Sequence, residues 1–180
     1  MAKLNKAWVE AALTQADIKK SKIDDFHERI YLSSSRMKAF INNICSAEKI
    51  NYLELGVYRG ATLLAATVGN PDTKAVGVEN YSHDPKEINP KNPPEGGFTV
   101  MKAELATHLA RHNTHTPNMN SEATTIVEGN FEDVDYSKFD KFNVCYMDIH
   151  PFNASTYDDF FEKIIPHLTH EAVIIFGGVS

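Results

Sequence analysis

The chain has 180 residues, enough for one ordinary domain but not for two independent cores. Apolar residues make up 42% and charged residues 23%, an average globular composition that excludes a disordered chain or a fibre. Eighteen Lys and Arg against 24 Asp and Glu leave a net charge of −6, which argues against duplex DNA or an anionic membrane as the main partner and leaves a nucleotide-like ligand open.

No apolar run reaches the roughly 18–20 residues that span a bilayer, and the first residues lead into no apolar leader core, so a cytoplasmic location is expected. Cys45 and Cys145 are too few for a disulfide framework or a thiolate metal site, and both read as reduced core thiols.

Residues 1–49 form a helical segment. Leu4, Trp8, Ala11, Ala12 and Ile18 recur at spacings of three and four, the mark of an amphipathic helix. Ser33, Ser34 and Ser35 then offer N-cap hydroxyls to a second helix, whose apolar stripe Met37, Phe40, Ile41 and Ile44 runs to about Glu48.

Residues 50–180 follow a different rhythm. Short apolar runs at Tyr52–Val57, Ala75–Val78, Thr124–Val127, Asn143–Met147 and Ala172–Phe176 read as strands, and their near-continuous apolar character fits a parallel sheet covered on both faces. Helical stretches at Ala61–Val68, about Thr99–His112 and Thr156–Leu168 fill the gaps. Right-handed crossovers then give a three-layer, Rossmann-like open α/β sheet, mainly parallel, with expected strand order 3-2-1-4-5. Between Asn80 and Phe98, four prolines and two glycines mark a long loop leaving the second strand, either a lid or an excursion.

In such a sheet, ligands bind at the carboxyl ends of the strands, where strand order reverses. The first strand runs into Glu54-Leu55-Gly56-Val57-Tyr58-Arg59-Gly60. Gly56 permits a backbone turn close to a ligand, and Gly60 lets the next helix start near the strand. Glu54 is placed to accept a hydrogen bond from a ligand ammonium or from the loop's own N–H groups. Glu79 ends the second strand, 25 residues after Glu54, at the distance of one βαβ step, where a carboxylate can hold ribose hydroxyls or else cap a helix. At the end of the third strand, Asn130 either meets an adenine edge or caps a short helix, and Phe131 is available for stacking. Asp148 and His150 follow the fourth strand, where a carboxylate and an imidazole suit acid–base chemistry or a cation.

Taken in order, Glu54-Leu55-Gly56-x-x-x-Gly60, Val78-Glu79, Glu128-Gly129-Asn130-Phe131 and Met147-Asp148-Ile149-His150, with Tyr157 and Asp158 downstream, resemble the motif series of class I S-adenosylmethionine-dependent methyltransferases. The likeness covers residues 50–176 and is greatest to small-molecule O-methyltransferase-like branches. It implies S-adenosylmethionine as cofactor, with Glu54, Gly56, Tyr58 and Gly60 by its methionine part, Glu79 on the ribose, and Asn130 and Phe131 by the adenine. It also implies Asp148 facing the methyl group and a small-molecule acceptor, with Asp148 or His150 removing the acceptor's proton. In metal-dependent branches that Asp is a cation ligand, so a divalent cation is possible here but not favoured.

Two departures stand out. Where the family often has an acidic pair after the fifth strand, this sequence has Gly177-Gly178. It then stops at Ser180, before the family's usual helix and hairpin, so the fifth strand is expected to be an edge unless the N-terminal helices or a second subunit cover it. A non-catalytic partner module is therefore the competing reading. A nicotinamide-dependent oxidoreductase is a weaker one, because Gly56-x3-Gly60 lacks the G-x-G-x-x-G spacing. His108, His112 and His115 share i, i+4, i+7 spacing, which reads as a polar helix face in preference to a zinc clamp.

Overall fold

The β-branched and aliphatic runs form five parallel strands, and each strand's alternation decides which residues face which helical layer. The computed structural model describes residues 4–30, 33–82, 97–115, 123–149 and 154–177. The strands are β1 (Asn51–Leu55), β2 (Lys74–Glu79), β3 (Thr124–Glu128), β4 (Phe142–Met147) and β5 (Leu168–Phe176). They pair in the order β3-β2-β1-β4-β5, every pair parallel, as the sequence leads one to expect.

Among the described residues six helices flank the sheet: α1 (Lys6–Asp17), α2 (Asp25–Glu28), α3 (Ser35–Ile44), α4 (Ala61–Thr67), α5 (Gly97–His115) and α6 (Ala154–Lys163). Asn5 caps α1 by accepting from the Trp8 N–H, and Ser34 caps α3 through the Met37 N–H. The α2 turn is additional to the two N-terminal helices expected, and α6 gives way to a 3-10 turn at Ile165–His167, where Pro166 cannot donate to a regular helix.

Residues of opposite parity on β1 and β4 feed two cores. Tyr52, Val144 and Tyr146 face a layer that includes Leu4, Ala12, Ile41, Ile44 and Leu63, so the N-terminal helices share a core with the sheet. Leu53, Leu55, Cys145 and Met147 face the other layer, with Phe131, Tyr136, Phe160 and Ile164. Each such side chain taken fully out of water contributes about 1.5–3 kcal/mol. Both cysteines are buried free thiols.

β5 begins at Leu168, earlier than the apolar run at Ala172 suggests. Its pairing to β4 is irregular between Phe142 and Val144, which absorbs the polar Thr169-His170-Glu171 stretch. It lies at one end of the sheet order, half-exposed over most of its length. No helix among the described residues is long and apolar enough to cross a membrane.

Candidate functional site

Hydrogen bonds carry the ladder just past the carboxyl ends of the strands and line up the residues that follow them. The Gly56 N–H donates to the Val78 carbonyl (3.0 Å), Asp148 N–H to Leu55 (2.8 Å), Gly177 N–H to Met147 (2.8 Å) and Gly129 N–H to Glu79 (3.0 Å). Gly129, Glu79, Gly56, Asp148 and Gly177 therefore form a row across one sheet edge.

Gly56 has φ +84°, and a Cβ there would lie 2.3 Å from the Asp148 carbonyl oxygen, so only glycine fits between the two loops. Tyr58 has φ +52°, an uncommon conformation for a side-chain-bearing residue, and its N–H donates to Glu79 Oε2 at 2.7 Å. Glu79 Oε1 accepts from the Tyr81 N–H, also at 2.7 Å. One carboxylate thus ties the glycine loop to the loop after β2. That role differs from both capping a helix and standing in solvent, and each oxygen keeps a lone pair for a further donor. The Tyr58 ring lies under the Arg59 guanidinium, 5.4 Å from its centroid, and Arg59 pairs with Glu104 on α5 at 2.8 Å.

Glu54 is fully buried. It accepts from the Tyr52 hydroxyl (2.6 Å) and the Thr62 hydroxyl (2.7 Å) instead of the loop's N–H groups. Burial pushes its carboxyl up to about 8, against the two hydroxyl bonds and helped by the nearby Asp148 and Glu79 charges. Tyr52 is raised well above the ordinary phenol value by burial and by Glu54.

Asp148 Oδ2 accepts from the Tyr146 hydroxyl at 3.0 Å. Burial first, then the Asp148 and Glu54 charges, hold that phenol protonated, so it remains a donor. A Cβ on Gly177 would lie 2.5 Å from the Tyr146 oxygen and 2.8 Å from Asp148 Oδ1. The tyrosine hydroxyl therefore occupies the space that a side chain from the end of β5 would need.

The remaining predicted residues are placed less directly. Asn130 precedes a 3-10 turn without capping it; its Oδ1 accepts from the Asn80 amide at 2.9 Å and its Nδ2 donates to Asp133 at 3.2 Å. Phe131 is buried in the core with Val76, Val78 and Tyr136, which corrects its reading as a free stacking surface. His150, Gly178 and most of the 80–98 loop lie outside the described residues. His112 is not on a polar helix face: it is buried against α2 and α4. Among the described residues no group of three His, Cys, Asp or Glu is arranged to hold a metal ion.

Tyr52, Thr62 and Tyr146 were not singled out from the sequence. Tyr52 and Tyr146 each sit two positions before a candidate carboxylate, on the same face of the strand, and that spacing is the signal that would have found them.

No protein-family model and no curated protein matches this sequence. Solved structures do match in fold. The methyltransferase PaMTH1 of Podospora anserina, solved with S-adenosylhomocysteine bound, has a TM-score of 0.63 at 15% identity, covering 98% of this chain and 72% of its own. A precorrin-6y C5,15-methyltransferase from Geobacter metallireducens gives 0.58 at 12% identity over 89% and 72%. The O-methyltransferase TomG of Streptomyces achromogenes, involved in tomaymycin synthesis and solved with S-adenosylmethionine, gives 0.56 at 14% over 98% and 66%. The chain therefore spans only part of each of these proteins. Its fold is the Rossmann-like fold of class I S-adenosylmethionine-dependent methyltransferases.

Proposed function

We propose that the crevice at the carboxyl edge of the sheet binds S-adenosylmethionine and that the protein transfers its methyl group to a small-molecule acceptor, a hydroxyl. The observation that carries this reading is Glu79: a carboxylate at the end of β2, held by the Tyr58 and Tyr81 N–H groups, bound directly to the glycine loop. Its unused lone pairs suit the two hydroxyls of a ribose. Gly56 and Gly60 keep side chains off the loop beside it, and the Asp148 and Glu79 carboxyl groups, whose charges raise Glu54, give the adjoining end negative character suited to an ammonium.

When bound, the cofactor supplies a methyl group already activated on a sulfonium. What remains for the protein is alignment of the acceptor and removal of its proton. Asp148, oriented by Tyr146, is assigned that proton, and His150 is the second candidate.

Calorimetric titration with S-adenosylhomocysteine and with NAD tests the reading. Binding of the first, lost in Glu79→Ala, and silence toward the second are expected. Tight NAD binding with silence toward S-adenosylhomocysteine would overturn it. A second reading, a non-catalytic module that acts by binding a partner, is favoured by Gly177, since Tyr146 fills the space that a carboxylate side chain there would need. Cofactor binding without methyl transfer to any hydroxyl acceptor would favour that module.

A further inference from the structure

Away from the crevice, a line of polar groups, buried apart from the exposed Asp24 at its end, joins three helices. Asp24, the N-cap of α2, accepts from His27 Nδ1 at 2.6 Å, and the second ring nitrogen of His27 stands 2.8 Å from His112 Nδ1 on α5. His112 Nε2 stands 3.0 Å from the Thr67 hydroxyl on α4, which lies 3.1 Å from the Leu64 carbonyl. His27 is 0% exposed and His112 1%. The crevice chemistry uses none of these groups.

Proton counting decides what the line does. Four contacts run from the Asp24 carboxylate to the Leu64 carbonyl, and each holds one proton. Two neutral imidazoles bring two protons and Thr67 one, which leaves one contact empty. With a single extra proton on the ring pair every contact is filled: His27 donates both to Asp24 and to His112, His112 to Thr67 and Thr67 to the Leu64 carbonyl, and the positive charge sits beside Asp24. A further proton places two N–H groups face to face across 2.8 Å. We propose that Asp24, His27, His112 and Thr67 form a proton-binding site, buried at its two rings, that clasps the N-terminal helices to α4 and α5, and that uptake of a second proton opens it.

The surroundings agree. Burial, then the neighbouring His27, lowers His112 from 6.5 to about 4, with Asp24 pulling the other way. Asp24 itself is lowered: the His27 N–H and ring bonds outweigh its burial. From α3, Lys38 Nζ donates to the His27, Glu28 and Ile30 carbonyls and pairs with Glu28, so α3 brings a cation to the carbonyl end of α2 at this junction. From α5, His108 lies edge-on to Phe26 with its Nδ1 3.0 Å from the Arg59 carbonyl, and Arg111 stacks on Phe26, itself edge-on to His27. Arg59 belongs to the glycine loop, so the clasp and the crevice share α5.

The sign follows from the His112 values. Its folded proton affinity is below that of the unfolded chain, so the stability that His112 contributes is full above about pH 6.5 and is lost as the pH drops toward 4, by up to roughly 300-fold in the folding equilibrium. The test is 15N NMR of the imidazoles in the wild-type protein, with amide hydrogen exchange of residues 24–29, between pH 7.5 and 4.5. At neutral pH, three N-bound protons over the two rings are expected. On acidification His112 gains the fourth well below pH 6, and the α2 amides lose protection together with it. In parallel, between pH 6.5 and 4.5 the urea midpoint of His112→Gln should shift further toward stability than that of the wild type, because it lacks the His112 loss while Glu54 acts equally in both. Titration of His112 at its ordinary value, or unchanged α2 protection once it is protonated, would overturn the proposal.

Discussion

Glu54 makes the stability of this fold depend on pH in a direction unusual for a carboxylate. Its proton is released near pH 4.5 in an unfolded chain and near pH 8 in the folded one, because burial takes the carboxyl out of water and the two hydroxyl bonds offset that only in part, with the Asp148 and Glu79 charges adding to the shift. Between those limits the native state holds a proton that the unfolded state has lost, so stability falls as the pH rises. At about 1.4 kcal/mol per pH unit, the whole interval amounts to at most about 5 kcal/mol, and the part between pH 6.5 and 8 to about 2 kcal/mol. Glu54→Gln keeps the volume, accepts from Thr62, offers an N–H to the Tyr52 oxygen and does not titrate. Urea unfolding at pH 6.5 and 8 should show the wild-type midpoint dropping by the equivalent of about 2 kcal/mol while the glutamine variant stays nearly level. Parallel losses in both proteins would refute the assignment of that proton to Glu54.

Glu79→Ala removes the anchor of the Tyr58 and Tyr81 N–H groups together with the proposed ribose contact; loss of charge-assisted bonds worth about 1.5–3 kcal/mol corresponds to roughly 10–150-fold weaker S-adenosylhomocysteine binding by calorimetry. Gly56→Ala puts a methyl 2.3 Å from the Asp148 carbonyl at φ +84°, and a loss of more than about 2 kcal/mol is expected in urea unfolding. Gly177→Asp should cost about 1–3 kcal/mol, because its Cβ meets the Tyr146 hydroxyl at 2.5 Å; Tyr146→Phe in the same chain should recover part of that loss, and strict additivity in the double-mutant cycle would show that the two positions do not compete.

The strand order was legible because parallel strands covered on both faces must be apolar at nearly every position, and Tyr52–Leu55, Ala75–Val78 and Val144–Met147 are so. The positions of Glu79 and Asp148 followed from strand ends alone. What escaped is long-range or short. The α2 helix has four residues, too few to show a period. His112 falls on what looks like the polar side of α5, and only the docking of α2, 85 residues away in sequence, buries it. Phe131 looked available because it follows a strand end, yet the 3-10 turn it opens directs the ring into the core. Glu54 was read as a ligand contact, while its hydroxyl partners, one on its own strand and one on α4, depend on that helix folding back over β1.

Three carboxyl groups converge at one sheet edge, and each is accommodated differently: Glu54 by two hydroxyls and a proton of its own, Glu79 by two backbone N–H groups, and Asp148 by a phenol. None of the three has a cation as hydrogen-bond partner among the described residues, and Arg59, beside the glycine loop, is already paired with Glu104. Among the described residues, an anionic diphosphate brought to this edge would meet the like charge of Glu79 and Asp148. A ligand with a ribose, an ammonium and a sulfonium offers hydroxyls to Glu79 and positive charge to the others, and the charge raising Glu54 is relieved when it arrives. Electrostatics therefore favours the adenosyl amino acid over a dinucleotide on grounds separate from the spacing of the glycines.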